Sequence, residues 1–169
     1  MNDHPVIIVG AGLAGSLMAI YLAQKGLAVE IFESRPDMRK ADISAGRSIN
    51  LALSDRGILP LKEVGIVHKV LSEGVKMPGR MLHSTDGQLQ FAPYGKDDSQ
   101  YINSISRGGL NQLLMTEAES YEKVRIHFNK KCVKVDFDAI SVEVEDYKTK
   151  ERVIFKGCTI IGGDGANSS

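Results

Sequence analysis

The sequence predicts an α/β fold organised around a buried βαβ unit. Three observations carry that expectation: a β-branched run at Pro5–Gly10, a glycine-rich turn opening a helical periodicity, and a second apolar run, Leu27–Phe32, closed by Glu33. The composition agrees. Of 169 residues, 43% are hydrophobic and 25% charged, the balance of a globular chain and not of a disordered one. Lys plus Arg is 21 and Asp plus Glu is 21, so the chain as a whole offers no attraction for nucleic acid or an anionic membrane. Cys132 and Cys158 lack a paired metal-ligand spacing, which excludes zinc ribbons and disulfide scaffolds. No apolar run approaches the roughly 20 residues of a membrane span, and the N-terminus is not built like a signal peptide. The chain is expected to be soluble and cytoplasmic, and to form one ordinary domain or part of a larger one.

The first strand, PVIIVG, is apolar throughout, as in a strand buried on both faces of a parallel sheet. Helix LAGSLMAIYLAQKG follows, with Leu13, Leu17, Ile20 and Leu22 on the helical period and Gly26 as its C-cap. The second strand completes the unit within about 33 residues. Ser34–Arg47 is polar, carries Pro36, and reads as a long loop. Ser48–Ser54 (SINLALS) reads as a short strand or extended segment, and Ser54 starts a helix, DRGILPLKEVG, whose early turns Pro60 restricts. Between Val75 and Arg107, RMLHS, QLQFAPY and QYINSIS read as strands joined by turns, one at Asp86-Gly87. A helix from Gly109 to about Tyr121 places Leu110, Leu113 and Leu114 on one face. Short strands RIHF, KKCVKVDF, SVEVED and RVIFKG follow, then CTIIGGDGANSS.

Gly10, Gly12 and Gly15 stand in the spacing G-x-G-x-x-G. The first permits the tight turn, the second lets backbone approach a pyrophosphate, and the third lets helix pack on strand. The pyrophosphate would lie at the helix N-terminus, where free N–H groups and the dipole favour negative charge. Alone the motif is weak. Here it follows a buried strand, opens a helix, and is followed 18 residues after Gly15 by Glu33, near the expected spacing of about 20. A carboxylate there accepts hydrogen bonds from ribose hydroxyls and repels a 2′-phosphate, so the site suits the AMP half of FAD or NAD, not NADP. The bland alternative is a glycine turn with no ligand.

Two further positions are less decisive. Ser106 can cap the following helix, which puts Arg107 in the first turn beside Gly108 and Gly109. That arrangement suits a phosphate contact, although Arg107 on its own fits a solvated surface arginine better. Asp164, at the tip of a second strand-to-turn, suits either a ribose or ribityl hydroxyl or a plain tight turn. Asn167-Ser168-Ser169 matches a glycosylation acceptor, irrelevant without secretion.

The GAGLAG turn, FESR with Glu33 and Arg35, and GDGANS around Asp164 together resemble the flavoprotein aromatic hydroxylases of the glutathione-reductase-like FAD fold. GRSINLALSDRG (Gly46–Gly57), RMLHS, PYG and QYINSISRGGLNQLL are more specific, and resemble the kynurenine-hydroxylating branch of that family. The resemblance covers essentially the whole chain. It implies a Rossmann-type FAD-binding fold with an added β-rich segment: residues 1–169 would be the N-terminal part of the FAD-binding domain, with about 75–106 contributing to the substrate side. It implies bound FAD, NADPH as co-substrate, and O2 and L-kynurenine as small-molecule partners, one oxygen atom entering the aromatic ring to give 3-hydroxykynurenine.

By matching position, the resemblance makes Ala14, Phe32, Glu33, Arg35, Ala52, Arg107 and Cys132 FAD neighbours, Ala52 and Cys132 through backbone or shape. Asp164 falls in the family's motif near FAD and NADPH. Arg80 and Tyr94 match the substrate-recognition pair. A guanidinium suits the amino-acid carboxylate of kynurenine as a bidentate partner, and a phenol can add one hydrogen bond. On the residues alone, Arg80 reads equally as a surface residue and Tyr94 as a core one. No catalytic acid or base and no metal ligand is assigned, because the cofactor carries the difficult chemistry and His4, His68, His83 and His127 are scattered.

The family is far longer than this chain, so truncation before the rest of the FAD and substrate domains is expected, with a fragment inactive alone. Three other readings are a flavin hydroxylase acting on another aromatic substrate, a non-catalytic nucleotide-binding module, and a plain NAD dehydrogenase. The β-rich middle argues against the last.

Overall fold

The computed structural model describes residues 4–40, 49–97 and 100–165. Gly46–Ser48 of the GRSINLALS segment, most of the 34–47 loop's second half, and the last residues of GDGANSS lie outside them. The chain divides into two compact units, Met1–Ala45 with Asn111–Ser169, and Gly46–Leu110.

In the first unit, β1 (Val6–Val9) leads through α1 (Leu13–Gln24) to β2 (Val29–Glu33), the predicted βαβ unit. All four residues of β1 are buried. A four-stranded parallel sheet runs in the order β12-β1-β2-β8, with β8 at Val124–Phe128 and β12 at Thr159–Gly162. The remaining strands, β9 (Lys130–Asp136), β10 (Ser141–Asp146) and β11 (Arg152–Lys156), form an antiparallel meander. Ile7, Val9 and Phe32 of the parallel sheet join Cys132, Val142 and Val144 of the meander in one apolar core.

The helix α1 buries a different face from the one its leucines suggest. Of the expected period Ile20 is fully buried, but its buried neighbours are Gly15, Ser16 and Ala19, while Leu13, Leu17 and Leu22 are half-buried. The reason is distance: a Cβ at Gly15 would stand 2.0 Å from the Gly10 carbonyl oxygen, so the first turns of the helix lie against the sheet only with small residues there. The C-cap is as expected. Gly26, at φ +81°, donates to Ala23 and Leu27 to Leu22, which is the Schellman pattern.

The second unit holds β3 (Asn50–Leu53), α2 (Asp55–Glu63), α3 (Val67–Ser72), β4 (Val75–Met77), β5 (Gly79–His83), β6 (Leu89–Pro93) and β7 (Ile102–Ser106). Strands β3 and β4 flank β7 antiparallel, and β5–β6 is a separate hairpin. Pro60 lies inside α2, so the helix tolerates it where the sequence suggests a restriction. Helix α3 carries no strong sequence signal; it is six residues long and buries Val67 and Val70. The last helix, α4 (Arg107–Glu119), starts two residues before its predicted start. Ser106 caps it, its Oγ accepting from Gly109 N–H at 3.2 Å.

No helix among the described residues is long and apolar enough to cross a membrane.

Candidate functional site

The parallel pairing of β12 with β1 sets two strand-to-turn connections side by side. Val9 is in register with Gly162, and Gly163 N–H donates to the Val9 carbonyl at 2.7 Å. The turn after β1 is shaped by this neighbour. Gly10 sits at φ +95°, and a Cβ there would fall 2.7 Å from the Asp164 Cα. The fold therefore brings Asp164 against the glycine turn, a juxtaposition that 153 residues of intervening sequence conceal.

The three glycines of the turn answer to different demands. Gly10 and Gly15 are required by the packing just described. Gly12 is not: a Cβ there would meet only the Gly163 carbonyl oxygen, at an ordinary 3.7 Å, and its φ of −73° suits any residue. Gly12 is the N-cap of α1, without a side-chain cap and with no acid in the first turn. Its N–H has no partner among the described residues, and the exposed Ala14 follows it in the same turn. Uncapped N–H groups beside a backbone stripped of side chain fit an anion such as a pyrophosphate.

Glu33 ends β2 and is 5% exposed. Its Oε2 accepts from Ala11 N–H at 2.9 Å and from Arg35 Nη2 at 3.1 Å. Its Oε1 accepts from Arg35 N–H at 2.9 Å and Arg35 Nε at 2.8 Å. Burial pushes the Glu33 carboxyl up, but the hydrogen bonds from Arg35 and Ala11 outweigh it and hold the group below the usual carboxylate range. Ser34 Oγ adds a longer bond to Oε1 at 3.4 Å, so the carboxylate's roughly four lone-pair positions are filled, and a further donor reaches Glu33 only when the Arg35 guanidinium swings away. Arg35 is placed for that, with its side chain 62% exposed.

Phe32 and Cys132 meet the site differently from its polar members. The Phe32 ring is 1% exposed, stacks on His127 at 5.0 Å and tilts against Phe155 at 4.6 Å. Its side chain thus belongs to the core, and what Phe32 gives the turn is its carbonyl, which accepts from Gly10 N–H at 2.8 Å. Cys132 is buried in the same core. Burial raises its thiol pKa, and the Asp164 charge adds to the rise, which disfavours the nucleophilic thiolate.

Residues that no motif marks for the site tie the segment after β2 to α4, and one of them reaches the glycine turn. Asp37, 8% exposed, takes a bidentate contact from Arg39 at 2.8 and 2.9 Å. Arg39 also reaches Glu119 of α4 at 2.6 Å and lies over the Phe128 ring. The hydrogen bond from Arg39 is the main cause holding the Asp37 carboxyl low. Gln112 donates to the Met38 carbonyl at 3.0 Å, and Asn111 donates to the Ala11 carbonyl at 3.2 Å. The one sequence signal for Asn111 was a polar residue adjoining the Leu110–Leu114 stripe.

The other predicted site residues belong to the second unit. Ala52 is exposed on β3, paired with Ser104. Arg107 is exposed, and its N–H donates to the Ile49 carbonyl at 3.0 Å. In the β5–β6 hairpin Arg80 pairs with Ala92, and Tyr94 N–H donates to the Pro78 carbonyl. Arg80 and Tyr94 are therefore diagonal neighbours on one face, within reach for long side chains, and both are exposed. Tyr94 is 44% exposed, which answers against a core role in this unit.

Comparison with known proteins agrees with this geometry. The family described as FAD binding domain matches residues 3–169. A kynurenine 3-monooxygenase of Myxococcus xanthus is 49% identical over 97% of this chain and 35% of its own length. One from Anopheles gambiae is 43% identical over 100% of this chain and likewise 35% of its own. The chain thus spans about 35% of these relatives. Among solved structures, p-nitrophenol 4-monooxygenase PnpA from Pseudomonas putida superposes with a TM-score of 0.81 at 20% identity, over 98% of this chain and 42% of that one. The flavin-dependent monooxygenase PieE, solved with FAD and substrate, gives 0.81 at 20% identity, over 98% of this chain and 31% of that one. At that identity the likeness shows the fold.

Proposed function

The chain belongs to the FAD binding domain family, and on that premise we propose that it supplies the nucleotide-binding part of an FAD-dependent, NADPH-consuming hydroxylase converting L-kynurenine to 3-hydroxy-L-kynurenine. When bound, the flavin supplies the redox chemistry by which one atom of O2 enters the aromatic ring. The chain's own residues bind and orient. The turn through Gly10, Gly12, Ala14 and Gly15 takes the pyrophosphate, Glu33 and Arg35 take the adenosine ribose, and Asp164 and Cys132 border the cofactor beside that turn. Phe32 contributes its backbone. Ala52 and Arg107 are further cofactor neighbours by their match to the family, and the strands within 75–106 serve the substrate side.

The carrying observation is Gly12, whose open position and unpartnered N–H have no role in packing. For the substrate, the support is the shared face of Arg80 and Tyr94, joined to the names of the relatives. A guanidinium beside a phenol matches an amino-acid carboxylate. The globular composition without an apolar run supports a cytoplasmic place for the reaction.

The test is flavin retention by the whole hydroxylase of which this chain is the nucleotide-binding part, followed by NADPH oxidation with and without L-kynurenine. Bound flavin with kynurenine-stimulated oxidation and 3-hydroxykynurenine as product is the expected result. Stimulation by a different aromatic acid alone would favour the related hydroxylases, and nucleotide binding without turnover would favour a non-catalytic module.

A further inference from the structure

Ala11, the residue between the first two glycines, is fully buried, and its peptide groups are held from three sides. Its N–H donates to Glu33. Its carbonyl oxygen accepts from Asn111 Nδ2 at 3.2 Å and from Ser16 Oγ at 3.3 Å. Ser16 is fully buried and Asn111 is 6% exposed, so both donors approach from the interior. A trans peptide unit points its C=O and its N–H in opposite directions. Drawing the Ala11 carbonyl inward therefore aims the N–H of the same unit, that of Gly12, outward.

We infer that Asn111, seconded by Ser16, is a positioning residue for pyrophosphate: it fixes the Ala11–Gly12 peptide so that the Gly12 N–H faces the phosphate. The inference rests on the nucleotide reading above. Asn111 Oδ1 is buried with no partner among the described residues, a costly arrangement that an apolar side chain would avoid. Flipping the amide would set Oδ1 against the Ala11 carbonyl and lose the bond, so the donor role fixes its orientation. Nδ2 also lies 3.3 Å from the Met38 sulfur, a weak acceptor, which leaves the carbonyl as the main partner. A free peptide at this point would have to be ordered on binding; here the cost is met in folding.

The test is calorimetric titration of the flavin-stripped protein with ADP and, separately, with adenosine, which shares the nucleoside but lacks pyrophosphate. Asn111→Leu and Asn111→Asp both remove the donor, and the latter keeps an acceptor. Each should weaken ADP by about tenfold while leaving adenosine within about twofold. Ser16→Ala, a small change in a helix, should weaken ADP by about two- to threefold and leave adenosine alone; it carries the test if the Asn111 variants do not fold. Equal losses for ADP and adenosine would show a merely structural prop and overturn the inference. So would an Asn111→Asp protein with wild-type ADP affinity, or a Ser16→Ala protein with no change. Wild-type protein that binds no ADP at all would overturn the nucleotide reading itself, and this inference with it.

Discussion

Glu33 and Ala11 are joined by a 2.9 Å hydrogen bond from the Ala11 N–H to Glu33 Oε2, which ties the end of β2 to the glycine turn after β1. The acid that the motif spacing marks for a ribose thus also has a structural task. It holds the buried residue of the turn, while its other lone pairs hold Arg35.

Removing that carboxylate should therefore lower both stability and flavin affinity. Glu33→Ala leaves the buried Ala11 N–H without an acceptor and breaks several charge-assisted bonds, so we expect a loss of about 2–4 kcal/mol in urea unfolding. Flavin retention should fall in the variant under conditions where it is still folded. A Glu33→Ala protein with an unchanged urea midpoint would show that the clasp is not formed in solution.

The same pair predicts a pH dependence. The Glu33 carboxyl is held below its ordinary range in the folded chain. A depressed acid contributes its full stabilisation above the unfolded pKa and loses it as pH falls through the folded one. The stability difference between wild type and Glu33→Gln should accordingly be level near neutrality and shrink as pH drops below the ordinary glutamate value. Urea unfolding of both proteins at a series of pH values measures it. A difference constant down to the acid limit, or one growing as pH falls, contradicts the assignment.

The hairpin gives a prediction about substrate. Arg80→Met removes the cation from the exposed face it shares with Tyr94, and should raise the KM for L-kynurenine by tenfold or more, since a charge-assisted pair contributes roughly 1.5–3 kcal/mol. Tyr94→Phe removes one neutral hydrogen bond, about 0.5–1.5 kcal/mol, and should raise it less. Flavin content should be unaltered in both. Steady-state kinetics of the active holoenzyme decide, and identical constants for wild type and Arg80→Met would dismiss the pair.

The sequence made the βαβ unit readable because its signals are local. β-branched runs, a glycine turn, a Schellman glycine and an acid at the strand end all act within a few residues. It misjudged the buried face of α1 because leucine periodicity reports hydrophobicity, whereas the approach to the sheet is set by the 2.0 Å clearance at Gly15. Asp164 beside Gly10, and Asn111 on the Ala11 carbonyl, were not readable. Both depend on parallel pairing or helix placement across more than 90 residues. The Arg35 clasp on Glu33 lay only two residues away, but whether an arginine folds back or points to solvent is not encoded in spacing.

The glycines of the turn offer the sharpest separation of structure from function. Gly10→Ala must place a side chain at φ +95° and 2.7 Å from the Asp164 backbone, and Gly15→Ala must fit a methyl 2.0 Å from the Gly10 carbonyl oxygen. Backbone atoms cannot move aside as a flexible side chain does, so each variant should lose more than about 2 kcal/mol or fail to fold. Gly12→Ala meets nothing closer than 3.7 Å. Alanine there is a poorer N-cap but restricts the unfolded chain more, and these effects partly offset, so its stability should stay within about 1 kcal/mol of wild type. Yet its methyl would occupy the space a phosphate oxygen needs to reach the Gly12 N–H, and FAD or ADP affinity should fall by about tenfold or more. Urea unfolding and nucleotide titration of the three variants measure both quantities. Gly12→Ala protein that is as stable as wild type and binds nucleotide equally well would mean that the phosphate does not lie at this turn.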